Sequence, residues 1–406
     1  MTSPSSESSQ GYAADPRNDA VLVYVNGEFF PRNEARVSVF DSGFALGDGI
    51  WEGLRLIKGS IISLQAHLDR LFEGATSISL DIGMDRKGVE QALWQTLERN
   101  GMTDGAHMRL MVTRGTKRTP NQDPRFVIGG ATIVIVAEYK TPKPETRARG
   151  LSLMTSTFRT SGPDVFDLRL NSHSRLNLIQ ALIQAINMGA DEALMLDPRG
   201  FVASCNSTNF FIVRGDDELW TSTGLYSFKG ITQANVAFAW RAAGKVVREC
   251  DFTLAQVYSA REAFVTGTLG GVTPVTRIDG RVIGDGKPGT VTAQASSLYL
   301  GAASKAYERL PVQRQRQAEQ EAGLRPLAKA AGLVVWSASS FIARNEARHE
   351  SLRPVGKIRV KTGHFDIFLA GAACRSTLFK LHISWKPSLK LEIEVYLKHS
   401  ISRHLC

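Results

Sequence analysis

Three short segments of this 406-residue chain carry the residue types of an anion site. Gly230-Ile231-Thr232 stands at the start of a helical pattern, just after a Ser-Phe-Lys turn. Backbone N–H groups at a helix start attract phosphate, and Thr232 adds a hydroxyl. Thr266-Gly267-Thr268 follows the strand-like EAFV and precedes Leu269-Gly270-Gly271, a second small loop of donors. Arg70, in HLDRL, sits on a helical pattern as a charge partner for such an anion. Each signal alone also describes an ordinary loop or helix cap. His107, Arg109 and Arg114 fall in HMRLMVTRG. Alternation along a strand puts His107 and Arg109 on one face, where an inward arginine holds a substrate carboxylate through two parallel bonds. A cross-strand ion pair is the other use for these arginines.

The elements that must position these residues are legible in part. VLVYV-NG-EFF sets two apolar runs around Asn26-Gly27, a strong hairpin signal. A strand-like IWEGLRLI follows, then helical patterns through Leu64, Leu68, Leu71 and Phe72 and through VEQALWQTLERN. MRLMVTR and ATIVIVAEY close this first block as strands, and residues 1–18 read as a disordered lead-in. KTPKPETRARG, polar with two prolines, reads as an interdomain linker over 141–150. Beyond it LSLMTSTF, EALMLD, NFFIVRG, KVVREC and EAFVTG read as strands. They alternate with an amphipathic helix over SRLNLIQALIQAINMG and another over ITQANVAFAWRAAG. Strands and helices mix in both blocks, which predicts a two-domain mixed α/β protein, 19–140 and 151–305, with extensions.

Composition sets the outer limits. With 43% hydrophobic and 22% charged residues, the chain is neither collagenous nor wholly disordered, and no apolar run has the length of a membrane span. Cys205, Cys250, Cys374 and Cys406 are scattered without metal spacing, which suits a reducing, cytoplasmic compartment. The formal charge of +10 is uneven: residues 306–406 hold 17 Lys+Arg against 8 Asp+Glu, whereas the rest holds 32 against 31. The tail also has five of the eight histidines, a polar stretch PVQRQRQAEQEAG that reads as a solvated helix, and strand-like alternation in LHISWKPSLKLEIEVYLKH. It contains no recognisable nucleic-acid module. A basic binding arm is one reading of 306–406, and an unassigned appended segment is the other.

Together these segments resemble the fold-type IV pyridoxal-phosphate enzymes, the class IV aminotransferases of branched-chain and D-amino acids. The resemblance runs from about Val21 to about Ala303. It is carried by VNGEF, DSGFALGDGIWEGLRL, HLDRL, HMRLMVTRG, SRLNLIQALIQA, GADEALMLDPRGFVASCNSTNFFIV, GIT and VTGTLGGVTPVTRIDGRVIGDGKPG, in that order. It implies pyridoxal 5'-phosphate as cofactor, amino acid and 2-oxo acid substrates, a site between two domains and a homodimer. It places the phosphate-binding arginine on Arg70 and the two phosphate loops on Ile231-Thr232 and Thr268. His107 and Arg109 fall on the strand lining the substrate pocket, with Trp51 and Leu46 facing the side chain.

Two departures bear on chemistry. The family's Schiff-base lysine falls on Asn171, in Asn171-Ser172-His173-Ser174-Arg175-Leu176-Asn177, and no lysine occurs between Lys143 and Lys229. The residue expected to pair with the pyridine nitrogen, commonly Glu, is Ser204. A hydroxyl does not hold a pyridinium as a carboxylate does. A third, smaller departure is Gln233, where the family often has arginine, with Lys229 nearby as a compensating charge. Asparagine is neither nucleophilic nor basic, so it neither holds the cofactor covalently nor carries a proton. His173, two residues on, has the chemistry of a substitute base, but its favoured reading is a hydrogen-bonded helix-entry residue beside Ser174, an N-cap candidate. The chain is therefore expected to be a branched-chain-type aminotransferase with a pocket better preserved than its turnover. The alternatives are an inactive homologue that binds the cofactor or pairs with an active subunit, and a nucleic-acid binder acting through the tail. Nucleic acid and membrane are not expected as partners of the main body.

Overall fold

In a computed structural model of the chain, Leu22–Val25 (β1) and Glu28–Pro31 (β2) pair antiparallel. Asn26 and Gly27 between them have φ of 49° and 97°, the positive values a two-residue hairpin turn demands. The structure describes residues 8–302 and, beyond them, the backbone of four strands. The chain divides into two compact units, residues 1–315 and 316–406.

In the first unit, Gly49–Ile57 (β3), Ser60–Ile61 (β4), Ala106–Thr113 (β5) and Thr132–Tyr139 (β6) complete a six-stranded sheet of order β2-β1-β6-β5-β3-β4. Ser42–Leu46 (α1) is capped by the Asp41 carboxylate, which accepts from Gly43 N–H. Leu64–Ser77 (α2) and Arg86–Arg99 (α3) send Leu68, Leu71, Val89 and Leu93 into one core with the sheet. Alternation along β5 is strict. Ala106, Met108, Leu110 and Val112 are 0% exposed, so His107 and Arg109 are forced onto the other face.

The second sheet has nine strands: Leu151–Thr155 (β7), Glu192–Leu196 (β8), Val202–Cys205 (β9), Asn209–Arg214 (β10), Glu218–Thr221 (β11), Val247–Glu249 (β12), Glu262–Gly267 (β13), Gly271–Ile278 (β14) and Arg281–Val282 (β15). Eight follow the order β12-β11-β10-β13-β14-β7-β8-β9, and β15 pairs with β14. β11/β12, β14/β7 and β7/β8 are parallel, the other pairs antiparallel. The helices are Pro144–Arg149 (α4), Leu176–Asn187 (α5), Ile231–Ala242 (α6), Leu254–Tyr258 (α7) and a last one over 290–302. One core gathers Phe210 and Phe252; another gathers Trp240 and the stacked rings of Phe211 and Phe264, 4.9 Å apart. The helix α5 lies on β8 through the small side chains of Ala181 and Ala185. Its larger residues Leu176, Ile179, Ile183 and Ile186 face outward.

The architecture is the mixed α/β expected, with two amendments. Residues 8–18, read as disordered lead-in, are placed: Ser9 and Asn18 are buried, and Pro16–Ala20 forms a short 3-10 helix. Polar composition misled here because these side chains meet buried hydrogen-bonding partners; the Asn18 amide, for example, bonds the backbone of Tyr139 at both N–H and C=O. The segment 141–150, expected as linker, joins the two sheets and contains α4. In the second unit, strands Leu378–Trp385 and Leu389–Tyr396 fall on the alternating segment and pair antiparallel. The solvated helix expected over 311–323 lies outside the described residues, as does any basic arm built from tail side chains.

Candidate active site

Position 171 is fixed by the first sheet. The segment Asn171–His173 runs beside β3: Trp51 N–H donates to the Asn171 carbonyl at 2.8 Å and His173 N–H to the Gly49 carbonyl at 2.9 Å. The Trp51 indole N–H donates to the Ser172 carbonyl at 3.1 Å. Asn171 is 5% exposed. It opens onto a cavity also lined by Trp51, Arg70, His107, Arg109, Ile231, Thr232 and Thr268. Eight residues singled out from scattered segments thus meet in one place. Leu46, at the end of α1, and Ser204, buried in β9, are not among the lining residues. Nor is any lysine.

One end of the cavity is built for an anion. Glu52, 1% exposed on β3, receives Arg70 through Nε and Nη2 at 2.8 and 2.7 Å, and His67 Nδ1 at 2.6 Å. Burial alone raises a carboxyl pKa, but Arg70 and then His67 outweigh it and hold Glu52 below its ordinary value. Arg70 Nη1 donates to the Lys229 carbonyl at 2.9 Å, and its guanidinium lies 4.4 Å from the Phe228 ring centre. The pairing fixes Arg70 at the turn leading into α6. No side chain caps α6, so its first-turn N–H groups are open to a ligand. Gly230 is required at that turn because a Cβ there would lie 2.0 Å from Asn209 Oδ1, while Asn209 Nδ2 donates to the Phe228 carbonyl at 2.6 Å. Thr266 Oγ1, on the cavity wall, is buried with no hydrogen-bond partner among the described residues. Gln233 points elsewhere, donating to Thr221 Oγ1 at 2.8 Å, and the Lys229 side chain packs along Gly224.

The other end is cationic and aromatic. The Arg109 guanidinium lies 3.3 Å from the Trp51 ring centre, and Arg175 sits 5.2 Å from the same ring and 5.7 Å from Phe228. Arg175 Nη2 donates to Asn171 Oδ1. Burial pushes both guanidinium pKa values down to about 10, still charged at neutral pH. Burial and then the cations Lys140, Arg109 and Arg55 push His107 down to about 3, which leaves it neutral. His173 is a hydrogen-bonded residue beside β3, as its place at the helix entry suggested. Its Nε2 is held at 3.1 Å from the Ile50 carbonyl, away from the cavity lining. Arg114 also leaves the site: it closes on Asp48 at 2.7 Å.

Sequence reasoning missed Glu52, Arg175 and Asn209. A glutamate inside the otherwise apolar IWEGLRLI was the available signal for the first, since a buried acid needs a cation. Arg175 stood one turn from Asn171 but carried no motif of its own.

The profile of the family described as amino-transferase class IV matches residues 49–278, more than half of the chain. Branched-chain-amino-acid aminotransferase-like protein 1 of Arabidopsis thaliana is 40% identical over 70% of this chain, which spans about half (51%) of that relative's length. A branched-chain-amino-acid aminotransferase of Pseudomonas aeruginosa is 31% identical over 69% of this chain and 92% of its own. A D-alanine aminotransferase of Listeria innocua is 30% identical over 68% and 94%. Among solved structures, the branched-chain aminotransferase of Thermoproteus uzoniensis with norvaline superposes with a TM-score of 0.64. It is 26% identical, over 72% of this chain and 97% of that one. With the matched region spanning β3 to β14 and every cavity-lining segment from Trp51 onward, the chain belongs to the class IV aminotransferases, a family that uses pyridoxal 5'-phosphate.

Proposed function

We propose that this chain is a branched-chain-type member of the family that binds pyridoxal phosphate without a covalent link and has lost ordinary transamination. The observation that carries the reading is Asn171 on the cavity wall, in a cavity with no lysine among its lining residues. The residues suit the phosphate end of the cofactor. The uncapped start of α6, the unpartnered Thr266 hydroxyl and the clamped Arg70 are donors converging on one pocket. Thr232 and Thr268 add hydroxyls beside them. The covalent end is not served, and Ser204 stands off the lining.

Bound there, pyridoxal phosphate supplies a carbonyl carbon for an amine and a ring that spreads the charge left by a departing α-proton. The chain supplies the rest. Arg70, Thr232 and the first-turn N–H groups of α6 hold phosphate. Arg109, stacked on Trp51, holds a carboxylate, while the indole excludes water. His107 stays neutral and orients. Asn171 neither accepts nor releases a proton, and the loss of a positioned proton carrier costs roughly 10²–10⁴ in rate. The branched-chain relative at 40% identity favours an aliphatic side chain over a small D-amino acid.

An assembly follows from α5. Leu176, Ile179, Ile183 and Ile186 make an exposed apolar face of the kind that marks protein interaction. We read it as the contact to a second copy or to an active homologous subunit. The scattered cysteines favour a cytoplasmic setting, and no described helix is long and apolar enough to cross a membrane.

The test is a titration of the purified full chain with pyridoxal phosphate, followed by borohydride reduction and peptide mapping. Saturable binding with all cofactor released on denaturation is expected. A pyridoxyl adduct on any lysine, or absence of binding, overturns the proposal.

A further inference from the structure

The hollow just described has a neighbour. A cleft of about 860 Å³ is lined by Ser8, Ser9, Gly11, Arg147, Gly270 and Thr273 among others. The two hollows meet across one thin partition, residues 8–11, with Gln10 on the site side and Ser8, Ser9 and Gly11 on the cleft side.

This partition is latched. Glu192, 0% exposed in the middle of β8, accepts from Ser9 N–H at 3.1 Å, from the Ser9 hydroxyl and from the Ser8 hydroxyl at 3.5 Å. Its other oxygen accepts from Thr208 Oγ1 at 2.8 Å. A buried carboxylate without these donors would be strongly disfavoured. The segment therefore belongs to the fold rather than to a loose terminus. A turn follows, with Gly11 N–H donating to the Ser8 carbonyl at 2.8 Å. The far end is tied down where Ala13 N–H donates to the Thr141 carbonyl at 3.0 Å and Tyr12 bridges to Pro142.

The latched segment also presses on the second donor loop. A Cβ at Gly270 would lie 3.1 Å from the Ser9 carbonyl oxygen and 2.9 Å from Thr273 Oγ1, so the glycine backbone sits close against Ser9 and a side chain there would press on both. Gln10 Nε2 is 3.7 Å from the corresponding point at Gly267. Gly267 and Gly270, on either side of Thr268, thus lie against residues 9 and 10.

We infer that residues 8–11 are a strap, latched on Glu192, that holds the 266–271 loop against the anion pocket and sets Gln10 at its mouth as a positioning residue. The strap slows exchange of a phosphate-bearing ligand with the adjoining cleft. The inference rests on the pyridoxal-phosphate reading above for the identity of that ligand, and on geometry alone for the support of the loop.

The test uses the full chain with Ser9→Pro, which removes both Ser9 donors to Glu192, and Gln10→Glu, which keeps those two donors, replaces the Gln10 amide that donates to Ser9 Oγ at 3.3 Å, and adds negative charge on the cavity side. Hydrogen exchange without ligand is read first. In Ser9→Pro the amides of residues 267–271 are expected to exchange at least about tenfold faster, since both Ser9 bonds to Glu192 are lost. The amides of β5 should not change. Release of pyridoxal phosphate, followed by competition, is expected to accelerate by a similar factor. In Gln10→Glu the affinity for pyridoxal phosphate should drop by more than its small loss of melting temperature accounts for. Should Ser9→Pro unfold the chain, Ser9→Ala, which keeps the N–H, is read in its place with a smaller effect in the same direction. If residues 8–11 loosen while 267–271 exchange and ligand release stay as in the parent, the strap has no hold on the loop and the inference falls. Arg70→Ala separates the two ideas: loss of binding there, with strap variants silent, sinks the strap alone. No pyridoxal-phosphate binding by the parent sinks the functional reading, and the exchange data still judge the strap.

Discussion

Arg175 donates through Nη2 to the side-chain oxygen of Asn171, so a buried cation stands next to the position at which the family places its lysine. An ammonium introduced there would be desolvated and flanked by Arg175 and Arg109. Both effects favour the neutral amine, the form that attacks a carbonyl. Asn171→Lys is therefore expected to yield a borohydride-stable pyridoxyl adduct at position 171 and to raise transamination by about 10² or more. If the adduct forms while turnover stays flat, the loss extends past one side chain, with Ser204 the next position to restore as glutamate.

Arg70 and Glu52 form an enclosed ion pair at the site, 15% and 1% exposed. Removal of one partner from a buried pair leaves the other charge stranded, at a cost of about 3–5 kcal/mol. Arg70→Ala should lower the melting temperature and abolish pyridoxal-phosphate binding together. Glu52→Gln keeps the guanidinium but frees its orientation. Its binding loss should exceed its stability loss, because the guanidinium left without its carboxylate is 15% exposed and still donates to the Lys229 carbonyl. Parallel thermal melts and ligand titrations decide this, and a Glu52→Gln variant that binds as the parent does would show that the clamp plays no part in aiming Arg70.

How much of this was legible beforehand differs by residue. The strict alternation of β5 carries its own proof, because one face is wholly buried, and so His107 and Arg109 were placed correctly from spacing alone. The two donor loops that meet at the cavity were readable as loops because glycine and threonine punctuate the ends of strong periodic segments. Glu52 was not readable as a clamp, since its partner Arg70 lies on the following helix and only packing brings them together. Residues 8–11 looked disordered because polarity was read without the acceptor, Glu192, that stands more than 180 positions away in sequence. Leu46 and Ser204 shared the family's motif order yet lie off the cavity lining. Motif order fixes neighbours along the chain and leaves the last few ångströms to packing.

Acid should destabilise this fold in two stages, and the signs agree. His107 has its folded pKa pushed down to about 3 from 6.5, chiefly by burial. Below pH 6.5 the unfolded chain takes up a proton that the folded chain refuses, so stability falls from there towards pH 3. Glu52, also depressed, contributes stability present above its ordinary 4.5 and lost as pH drops through its lower folded value. Urea melts from neutral pH down to about pH 4 should show the decline. His107→Asn should flatten its upper part and Glu52→Gln its lower part. A decline unaltered by His107→Asn would mean that His107 protonates freely in the folded state.

The helix α5 inverts the usual arrangement, with alanines on β8 and isoleucines in solvent. Ile179 and Ile183 are about half exposed, at 49% and 51%, and stand one turn apart on one face. Full burial of such a side chain is worth about 1.5–3 kcal/mol, and a self-complementary contact counts each residue twice. Within one chain neither residue supports the core, which α5 reaches through Ala181 and Ala185. Ile183→Glu is therefore expected to leave the melting transition of the isolated fold nearly unchanged while moving the sedimenting species from dimer to monomer at micromolar concentration. A parent chain that sediments as a monomer, with Ile183→Glu indistinguishable from it, would remove the assembly from the proposed function. If the parent instead stays monomeric alone and dimerises only when mixed with an active class IV aminotransferase, and Ile183→Glu abolishes that mixing, the face serves an active subunit rather than a second copy.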